Sequence, residues 1–282
     1  MKSINIIGAG RVGKTLGRAW HSSGVLRVQD VLTRSLASAQ QAVDFIGAGR
    51  AVTEVKDMRP ADVWMLAVPD SQIALTAAAL AKALAASPQS HRPRPALPAT
   101  LAFHCSGALA SSELEPLNAL GWQLASAHCL LSFADPATAL RQLAGTPCAL
   151  EGDPVAVTAL EPIFESLGTR CFALAAQHKL LYHAGAVFAT NFLPVLQDLA
   201  QQLWQRSGMP ADLATQLNAT LLRNAVDNLL ALGPMGALTG PAARGDKALV
   251  QRQGEAVAQW NTTAGEAYRA LSQLAAQLAA SS

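Results

Sequence analysis

The chain has 282 residues, of which 51% are hydrophobic and 14% are charged, and its formal net charge is +2. This length accommodates about two domains, and so apolar a composition supplies a sizeable core and argues against disorder. The small net charge argues against nucleic acid or an anionic membrane surface as a partner. No apolar run reaches the roughly 18 uninterrupted residues of a membrane span, so we expect no transmembrane helix. The first predicted strand begins at residue 4, so we also expect no signal peptide.

The four cysteines are Cys105, Cys129, Cys148 and Cys171, all in apolar, strand-like surroundings. None belongs to a C-x-x-C pair or lies beside a histidine at zinc-finger spacing. We therefore predict reduced, buried thiols in a cytoplasmic protein, and no metal site.

The first strongly patterned stretch covers residues 4–17 and reads INIIGAGRVGKTLG. An apolar run stops at Gly8, Gly10 and Gly13 complete a G-x-G-x-x-G pattern, and a helical pattern follows. This order is typical of a Rossmann-type strand–turn–helix, in which the helix N-terminus and a close backbone approach bind the pyrophosphate of a dinucleotide. The predicted cofactor contacts in this turn are Gly8, Gly10, Arg11, Val12 and Gly13.

Two other interpretations of this turn exist. Residues 8–15, GAGRVGKT, also fit the G-x-x-x-x-G-K-[ST] pattern of a phosphate-binding loop. That pattern is disfavoured because Asp62, the candidate metal-binding aspartate, begins its strand instead of ending it. A glycine turn that caps a helix and binds nothing is the other alternative.

The next predicted strand, Arg27–Thr33, ends where the ribose of a dinucleotide would be recognised, and Thr33, Arg34 and Ser35 follow there. A guanidinium with neighbouring hydroxyls suits a 2′-phosphate, whereas a carboxylate suits a free 2′-hydroxyl. We therefore predict NADP over NAD. If the strand ends three residues early, the carboxylate of Asp30 becomes the ribose ligand and the prediction reverses. For Arg34 the alternative is a solvated surface arginine.

The run Asp62–Val68 is almost continuously apolar, as in a central parallel strand covered on both faces. Ligands bind outside the carboxyl ends of such strands, so the backbone of Val68 and Pro69 is predicted to line the cofactor. Asp70 or Ser71 is predicted to cap the following helix. The neighbouring predicted elements are a helix at Leu36–Phe45, a strand at Val52–Val55 and a helix at Ile73–Ala86.

Residues 87–99 are rich in proline and also contain Arg92 and Arg94, and we predict a surface loop there. The strand Thr100–Cys105 follows, and its end, with Ser106, is predicted to face the nicotinamide half of the site. We interpret His104 as a core residue.

A second polar stretch, residues 126–133, reads SAHCLLSF. Its His128 and Ser132 are candidates for the lining of a substrate pocket, since loops at strand ends often carry function. For His128 a core role is an equal alternative.

Two further strands, Thr146–Leu150 and Thr169–Leu174, flank a helix at Val155–Leu167 and complete a sheet of about eight strands. From Ala176 onward helical periodicity dominates. We predict an α/β protein with a Rossmann-type, doubly wound, mostly parallel sheet in residues 1–175. An all-helical domain would occupy residues 176–282. Its predicted helices are Gln177–Arg206 with a kink at Pro194, Ala211–Leu232, Lys247–Trp260 and Thr263–Ala280.

Hydride transfer needs a group that gives or takes a proton. Lys179 and His183 are four residues apart at the start of the first helix of the second domain and share one face, with Asn191 less well aligned. The rest of that helix is too apolar for a free surface, although a solvated helix end is the alternative. The Y-x-x-x-K pair of short-chain dehydrogenases is absent, because alanine and serine stand four residues after Tyr182 and Tyr268.

Five segments together resemble a family of predicted NADP-dependent oxidoreductases, with a Rossmann-like domain followed by a helical domain of unknown function, within the 6-phosphogluconate-dehydrogenase-like group. These segments are GAGRVGKTLGRAW, AVPDSQI, HCSGAL, KLLYHAGAVFATNFLPVL and LTGPAARGD. Where the family has a proline after the histidine of HCLLSF, this chain has Cys129.

The resemblance implies a substrate cleft between two domains and a homodimer built through the helical domain. It implies that Lys179 and Asn191 bind and protonate substrate. Arg244 and Asp246 would help to close the cleft, with helix capping as an alternative for Asp246. We therefore expect an NADP-linked dehydrogenase or reductase acting on a small carbonyl, hydroxy-acid or imine compound. A dinucleotide-binding sensor or scaffold without turnover is the alternative.

Overall fold

The computed structural model describes residues 1–86 and 99–281. It divides into two units, Met1–Phe188 and Ala189–Ser282, each of which is described by itself. The surface loop predicted at residues 87–99, with Arg92 and Arg94, lies outside the described residues apart from Ala99.

The first unit is built on one sheet, whose strand order in the described part of the chain is β3-β2-β1-β4-β5-β6-β7-β8. Every neighbouring pair is parallel except β6 and β7, which are antiparallel. The order runs outward from β1 in both directions, which is the doubly wound arrangement, so the predicted fold class is confirmed. The strands are β1 Lys2–Ile7, β2 Leu26–Leu32, β3 Arg50–Val52, β4 Val63–Leu66, β5 Leu101–His104, β6 Gln123–Cys129, β7 Pro147–Gly152 and β8 Arg170–Ala173.

Helices connect these strands, and two of the connecting segments were not predicted from the sequence. One is α4, whose start does carry a local signal: Asp135 accepts a hydrogen bond from the Thr138 amide at 2.8 Å, and Pro136 is the first helical residue. The other is a 3-10 stretch, Ser111–Leu120. The helices of this unit are α1 Arg11–Ser23, α2 Leu36–Ile46, α3 Ile73–Ala85, α4 Pro136–Gln142, α5 Pro154–Glu165 and α6 Lys179–Ala186.

The core of this unit lies between the sheet and its covering helices. Trp20 of α1 makes edge-to-face ring contacts with Phe103 of β5 and Phe164 of α5, at centroid distances of 6.3 and 5.4 Å. Its indole N–H donates to the Ile163 carbonyl at 3.2 Å, so the buried polar atom has a partner. Burial on both faces explains why β4 reads as an apolar run and not as an alternation.

The second unit is helical, as predicted. Its helices are α7 Phe192–Arg206, α8 Ala211–Ala237, α9 Lys247–Trp260 and α10 Thr262–Ala280. Helix α8 is broken at Gly233, where φ is 70° and ψ is 174°. None of the helices in the described ranges is long and apolar enough to cross a membrane. The first unit ends at Phe188, and the domain boundary near residue 175 stays a prediction.

Two predicted elements are wrong in detail. Residues 177–206 are not one helix kinked at Pro194: α6 is followed by a π-helical segment, Val187–Asn191, and only then by α7. Proline has no N–H to continue the α-helical ladder, and the irregular segment lies in the turn before it. The strand predicted at Val52–Val55 is observed earlier in the chain, as β3, Arg50–Val52. Val55 begins a 3-10 turn instead.

Candidate active site

The glycine turn lies between β1 and α1, at the carboxyl edge of the sheet. Gly8 has a φ of +82°, and a Cβ there would lie 2.7 Å from the Ala67 carbonyl oxygen. A Cβ on Gly13 would lie 2.5 Å from the Gly8 carbonyl oxygen. Packing of the turn against β4 and α1 therefore already requires these two glycines.

Gly10 is different, because packing does not explain it. It is exposed, its φ is −70°, and a Cβ there would have no protein atom within 4 Å. It is the N-cap of α1, whose first turn holds Arg11 and Lys14 and no acid. Open space over a backbone at a positive helix end fits the phosphates of a dinucleotide. The Arg11 side chain is exposed, while Val12 packs partly against the core.

The end of β2 presents the predicted ribose residues. Thr33 is half-buried and donates to the Ser35 carbonyl at 2.8 Å, and Arg34 is exposed. The Ser35 hydroxyl accepts from the Ser38 amide at 3.2 Å and so caps α2. The Arg34 guanidinium is thus the exposed charge at this strand end.

The alternative built on Asp30 is wrong, because β2 continues past it to Leu32. The Asp30 side chain is 0% exposed and accepts from the Arg59 guanidinium at 2.6 Å, the Arg59 amide at 2.7 Å and the Arg50 guanidinium at 3.0 Å. Burial alone would raise the pKa of Asp30, but these hydrogen bonds outweigh it and lower the pKa. Asp30 therefore stabilises the first unit.

Beyond β4, Val68 is half-buried and Pro69 exposed. The prediction that Asp70 or Ser71 caps the next helix is wrong, since neither the 3-10 turn Asp70–Gln72 nor α3 has a side-chain cap. Instead, Asp70 accepts from the Ser106 hydroxyl at 2.8 Å, which ties the end of β4 to the end of β5.

The turn after β5 is held by its own polar groups. His104 is 0% exposed; its Nε2 lies 2.9 Å from the Ala110 carbonyl oxygen, and its Nδ1 accepts from the Ser106 amide at 3.2 Å. Burial lowers the pKa of His104, so the ring is neutral near pH 7. This agrees with its interpretation as a core residue. The Ser106 hydroxyl also accepts from the Leu109 amide at 3.0 Å.

Lys179 is the first residue of α6, yet it is only 1% exposed, so the alternative of a solvated helix end is wrong for it. Its Nζ donates to the Ser126 hydroxyl at 2.8 Å and to the Ser106 carbonyl at 3.2 Å. Burial lowers the pKa of Lys179, while the charges of Glu151 and Asp70 oppose that shift. The lysine therefore joins α6 to the turn after β5 and to the middle of β6.

Two histidines lie beside this lysine against the same turn. A Cβ on Gly107 would lie 2.6 Å from His183 Cδ2 and 2.7 Å from His128 Cε1, so both rings contact the backbone after β5. His128 Nδ1 is 2.9 Å from the Tyr182 hydroxyl. Burial, together with the nearby His183 and Lys179, lowers the pKa of His128 to about 4. Both histidines are half-buried.

Sequence reasoning missed Ser126 and Tyr182 as members of this site. Ser126 is a polar residue within the buried strand β6, and that mismatch was the only local signal for it. Tyr182 is adjacent to a predicted site residue, but its contact with His128 depends on how α6 packs on the sheet.

The other predicted site residues lie elsewhere in the first unit or in the second unit. Ser132 is exposed beyond the end of β6. Asn191, Arg244 and Asp246 belong to the second unit. Asn191 is exposed and accepts from the Thr190 hydroxyl at 2.8 Å, and Arg244 is exposed. Asp246 accepts from the Leu249 amide at 3.0 Å, so it has the capping role that was the alternative for it.

The four cysteines are free thiols, with Cys129 and Cys148 buried and Cys105 and Cys171 half-buried. Within residues 1–86 and 99–281, no group of three or more histidine, cysteine or acidic side chains could hold a metal ion.

Comparison with known proteins identifies both parts of the chain. Residues 1–128 match the family model of a Rossmann-like domain. Residues 146–275 match the model of a domain of unknown function, DUF2520. A search of curated proteins found no significant match.

Solved structures with the same fold cover nearly the whole chain. A protein from Thermotoga maritima, TM1727, is 24% identical with a TM-score of 0.72, over 99% of this chain and 98% of its own. A structure described as "putative NADP oxidoreductase BF3122" from Bacteroides fragilis is 19% identical with a TM-score of 0.72, over 98% of each chain. An imine reductase from Myxococcus stipitatus in complex with NADP⁺ is 18% identical with a TM-score of 0.62, over 98% of this chain and 93% of its own.

The predicted recognition is therefore confirmed at the level of domains: a Rossmann-like match is followed by a DUF2520 match, which begins before β7 and continues into the helical part of the chain.

Proposed function

We propose that the protein is an NADP-dependent oxidoreductase that transfers a hydride between the nicotinamide ring and a small carbonyl, hydroxy-acid or imine substrate. The observation that carries the proposal is the turn at Gly10, where exposed backbone at the N-terminus of α1 has open space above it and no packing reason for glycine. Such a turn at the switch point of a doubly wound sheet is where a dinucleotide binds.

The backbone from Gly8 to Gly13 would hold the pyrophosphate. Arg34 would pair with the 2′-phosphate, with Thr33 and Ser35 beside it; Val68, Pro69 and Ser106 would line the nicotinamide half. Two observations support NADP over NAD. The Arg34 guanidinium is exposed, and the Asp30 carboxylate is buried in ion pairs with Arg50 and Arg59. When bound, the reduced cofactor supplies the hydride.

His183 is our candidate for the group that supplies the proton. It is half-buried against Gly107, whereas Lys179 is 1% exposed and already donates to Ser106 and Ser126. A proton donor must reach the substrate, and the more accessible imidazole meets this requirement better. The roles proposed for Lys179, His128 and Ser132 at this edge, and for Asn191 and Arg244 in substrate binding, rest on the sequence pattern.

The substrate class is proposed from chemistry and from the neighbouring folds. A hydride acceptor must be an electrophilic carbon, as in C=O or C=N, and one structural neighbour is named an imine reductase. The panel to test first is therefore cyclic imines and small 2-keto acids.

The experiment is NADPH oxidation by the full chain, followed at the absorbance of the reduced cofactor, over this panel. The His183→Gln variant should lower kcat at least about 100-fold, the usual size of a lost general acid, with an unchanged Kd for NADPH. The Arg34→Ala variant should raise KM for NADPH about 10-fold and leave KM for NADH unchanged, because only the 2′-phosphate is affected.

The control is Arg27→Ala, which removes an exposed arginine from the start of β2, whereas Arg34 follows the end of that strand. NADPH binding without turnover on any compound would favour the alternative function, a dinucleotide-binding sensor or scaffold. Equal activity of His183→Gln and the wild type would exclude His183 as the donor.

We also propose a homodimer formed through the second unit. Large apolar side chains of α8 are exposed, Leu230 by 80% and Leu232 by 61%. A monomer in analytical ultracentrifugation at micromolar concentration would contradict this assembly.

A further inference from the structure

We infer that Glu151 is a positioning residue for the candidate site: through the Ser126 hydroxyl it holds Lys179 as a buried ammonium beside the carboxyl end of β5 and the middle of β6. Neither Glu151 nor Ser126 was expected from the sequence pattern. The effect on turnover rests on the proposed function, but the effect on Lys179 itself does not.

A continuous hydrogen-bond chain joins the three side chains. Lys179 Nζ is 2.8 Å from Ser126 Oγ, and Ser126 Oγ is 2.9 Å from Glu151 Oε2. A serine hydroxyl has one proton to donate and an ammonium cannot accept. The direction is therefore fixed: Lys179 donates to Ser126, and Ser126 donates to Glu151.

Glu151 is itself held rigidly by the segment after β5. Its Oε2 accepts from the Ser111 amide at 2.7 Å, and its Oε1 accepts from the Ser111 hydroxyl at 2.8 Å. With Ser126 this makes three hydrogen-bond donors to one carboxyl group. The negative charge at the end of the chain is thus fixed in position.

The ammonium needs this charge because its other contacts are neutral. Lys179 is 1% exposed, and it donates to a hydroxyl and a carbonyl. Burying an ammonium among neutral groups is costly and favours its deprotonation. Burial does lower the pKa of Lys179, and Glu151 is the strongest influence in the opposite direction, followed by Asp70.

The other titratable groups facing this lysine cannot replace Glu151. His104 on β5 and His128 on β6 both have lowered pKa values, so they are neutral at pH 7 and carry no compensating charge. Asp70 accepts a hydrogen bond from the Ser106 hydroxyl, whereas Lys179 donates to the Ser106 carbonyl. The Ser106 hydroxyl therefore does not join Asp70 to Lys179 as the Ser126 hydroxyl joins Glu151 to it. His183, on the same helix as Lys179, can only add positive charge.

A fixed ammonium at this position has two consequences for the site. It holds the turn after β5 through the Ser106 carbonyl, and it helps to keep the His128 imidazole neutral, since its charge contributes to the low pKa of that ring. Glu151 would thus act on the turn after β5 and on His128 through Lys179, and not by contact with the substrate.

The test is direct titration of the Lys179 ammonium by NMR in protein labelled with ¹⁵N-lysine. The chain has six lysines, and the Lys179→Met variant assigns the signal. In the Glu151→Gln variant, the Lys179 ammonium should titrate at a pH lower by about one unit, the size expected for removal of a nearby opposite charge. The Ser126→Ala variant, which keeps the charge and breaks the chain, should show a smaller shift in the same direction.

The matched control is Glu115→Gln, which removes an exposed carboxylate from the 3-10 stretch that also holds Ser111. It should leave the titration of Lys179 unchanged. Equal titration of Lys179 in the wild type, Glu151→Gln and Ser126→Ala would overturn the proposal. If Glu151→Gln does not fold, Glu151→Asp, which keeps the charge on a shorter side chain, and Ser126→Ala should both show a smaller shift of the Lys179 titration to lower pH.

Kinetics separate this inference from the proposed function. If the enzyme turns over, the kcat of Glu151→Gln should fall relative to the wild type in the pH range between the two Lys179 titrations that NMR measures, with KM for NADPH unchanged. A shifted NMR titration without turnover on any substrate would leave the inference standing and defeat the proposed function. An unchanged titration of Lys179 in the Glu151→Gln variant of an active enzyme would overturn the inference and leave the proposed function standing.

Discussion

At the scale of single residues, the environments of Asp30 and Arg34 distinguish two cofactor predictions, NAD through Asp30 and NADP through Arg34. Both lie near the end of β2, and the sequence alone permitted either as the ribose contact. The structure buries Asp30 under two arginines and leaves Arg34 exposed. The decisive partner, Arg59, is 29 positions away in sequence, so no local pattern around Asp30 could have revealed it.

Replacement of Asp30 by asparagine should destabilise the protein and leave its cofactor preference unchanged. The variant weakens charge-assisted hydrogen bonds, each of which contributes about 1.5–3 kcal/mol, so we expect a loss of about 2–3 kcal/mol at pH 7 in urea unfolding. The exposed Asp44→Asn should change stability by less than about 0.5 kcal/mol. A reversal of preference from NADPH to NADH in Asp30→Asn would show that Asp30 contacts the ribose.

The same variant has a defined pH dependence. The pKa of Asp30 is lower in the folded protein than its ordinary value of 3.8, so its ionisation stabilises the fold fully above pH 3.8. That contribution is lost as the pH falls through the lowered pKa. The difference in unfolding free energy between wild type and Asp30→Asn should therefore shrink in acid, below pH 3.8.

At the scale of elements, long periodic segments could be predicted from the sequence and interruptions could not. The limits predicted for α9, Lys247–Trp260, agree with the structure, because an aspartate cap precedes a regular pattern. The segment after Lys179 was predicted as one helix, although it contains a π-helical stretch at Val187–Asn191. Periodicity shows that residues are helical but does not distinguish the hydrogen-bond pattern within the helix.

The break in α8 provides a prediction at this scale. Gly233 combines a φ of 70° with a ψ of 174°, a conformation that is almost restricted to glycine. Gly233→Ala should therefore lower the stability of the second unit by about 1–3 kcal/mol, measured by chemical denaturation.

The matched control is Gly254→Ala, within the regular helix α9, where a Cβ would lie 3.4 Å from its nearest neighbour, in ordinary contact. Alanine favours a helix over glycine by up to about 1 kcal/mol, so this variant should be neutral or more stable. Equal effects of the two substitutions would mean that the backbone at Gly233 is not strained by a side chain.

At the scale of the whole molecule, the change from strand to helical periodicity allowed the order of the two parts to be predicted. The glycine turn could also be predicted, since its residues are contiguous. The polar cluster around Lys179 could not be predicted in full: Ser106, Ser126 and Glu151 follow or lie in three different strands and meet only once the sheet has formed. When a site is assembled from several strands, the only sign of it in the sequence is a single polar residue within each apolar run.

The central claim is that the turn at Gly10 holds the pyrophosphate of NADP, and calorimetric titration of NADPH into wild type and Gly10→Val tests it most directly. A Cβ at Gly10 meets no protein atom within 4 Å and φ there is −70°, so the variant should fold, losing at most about 1 kcal/mol as a poorer helix cap. We predict saturable NADPH binding by the wild type and a loss of at least about 100-fold in affinity, close to 3 kcal/mol, for folded Gly10→Val. No heat of binding to the folded wild type, or equal affinity of the two proteins, would contradict the account.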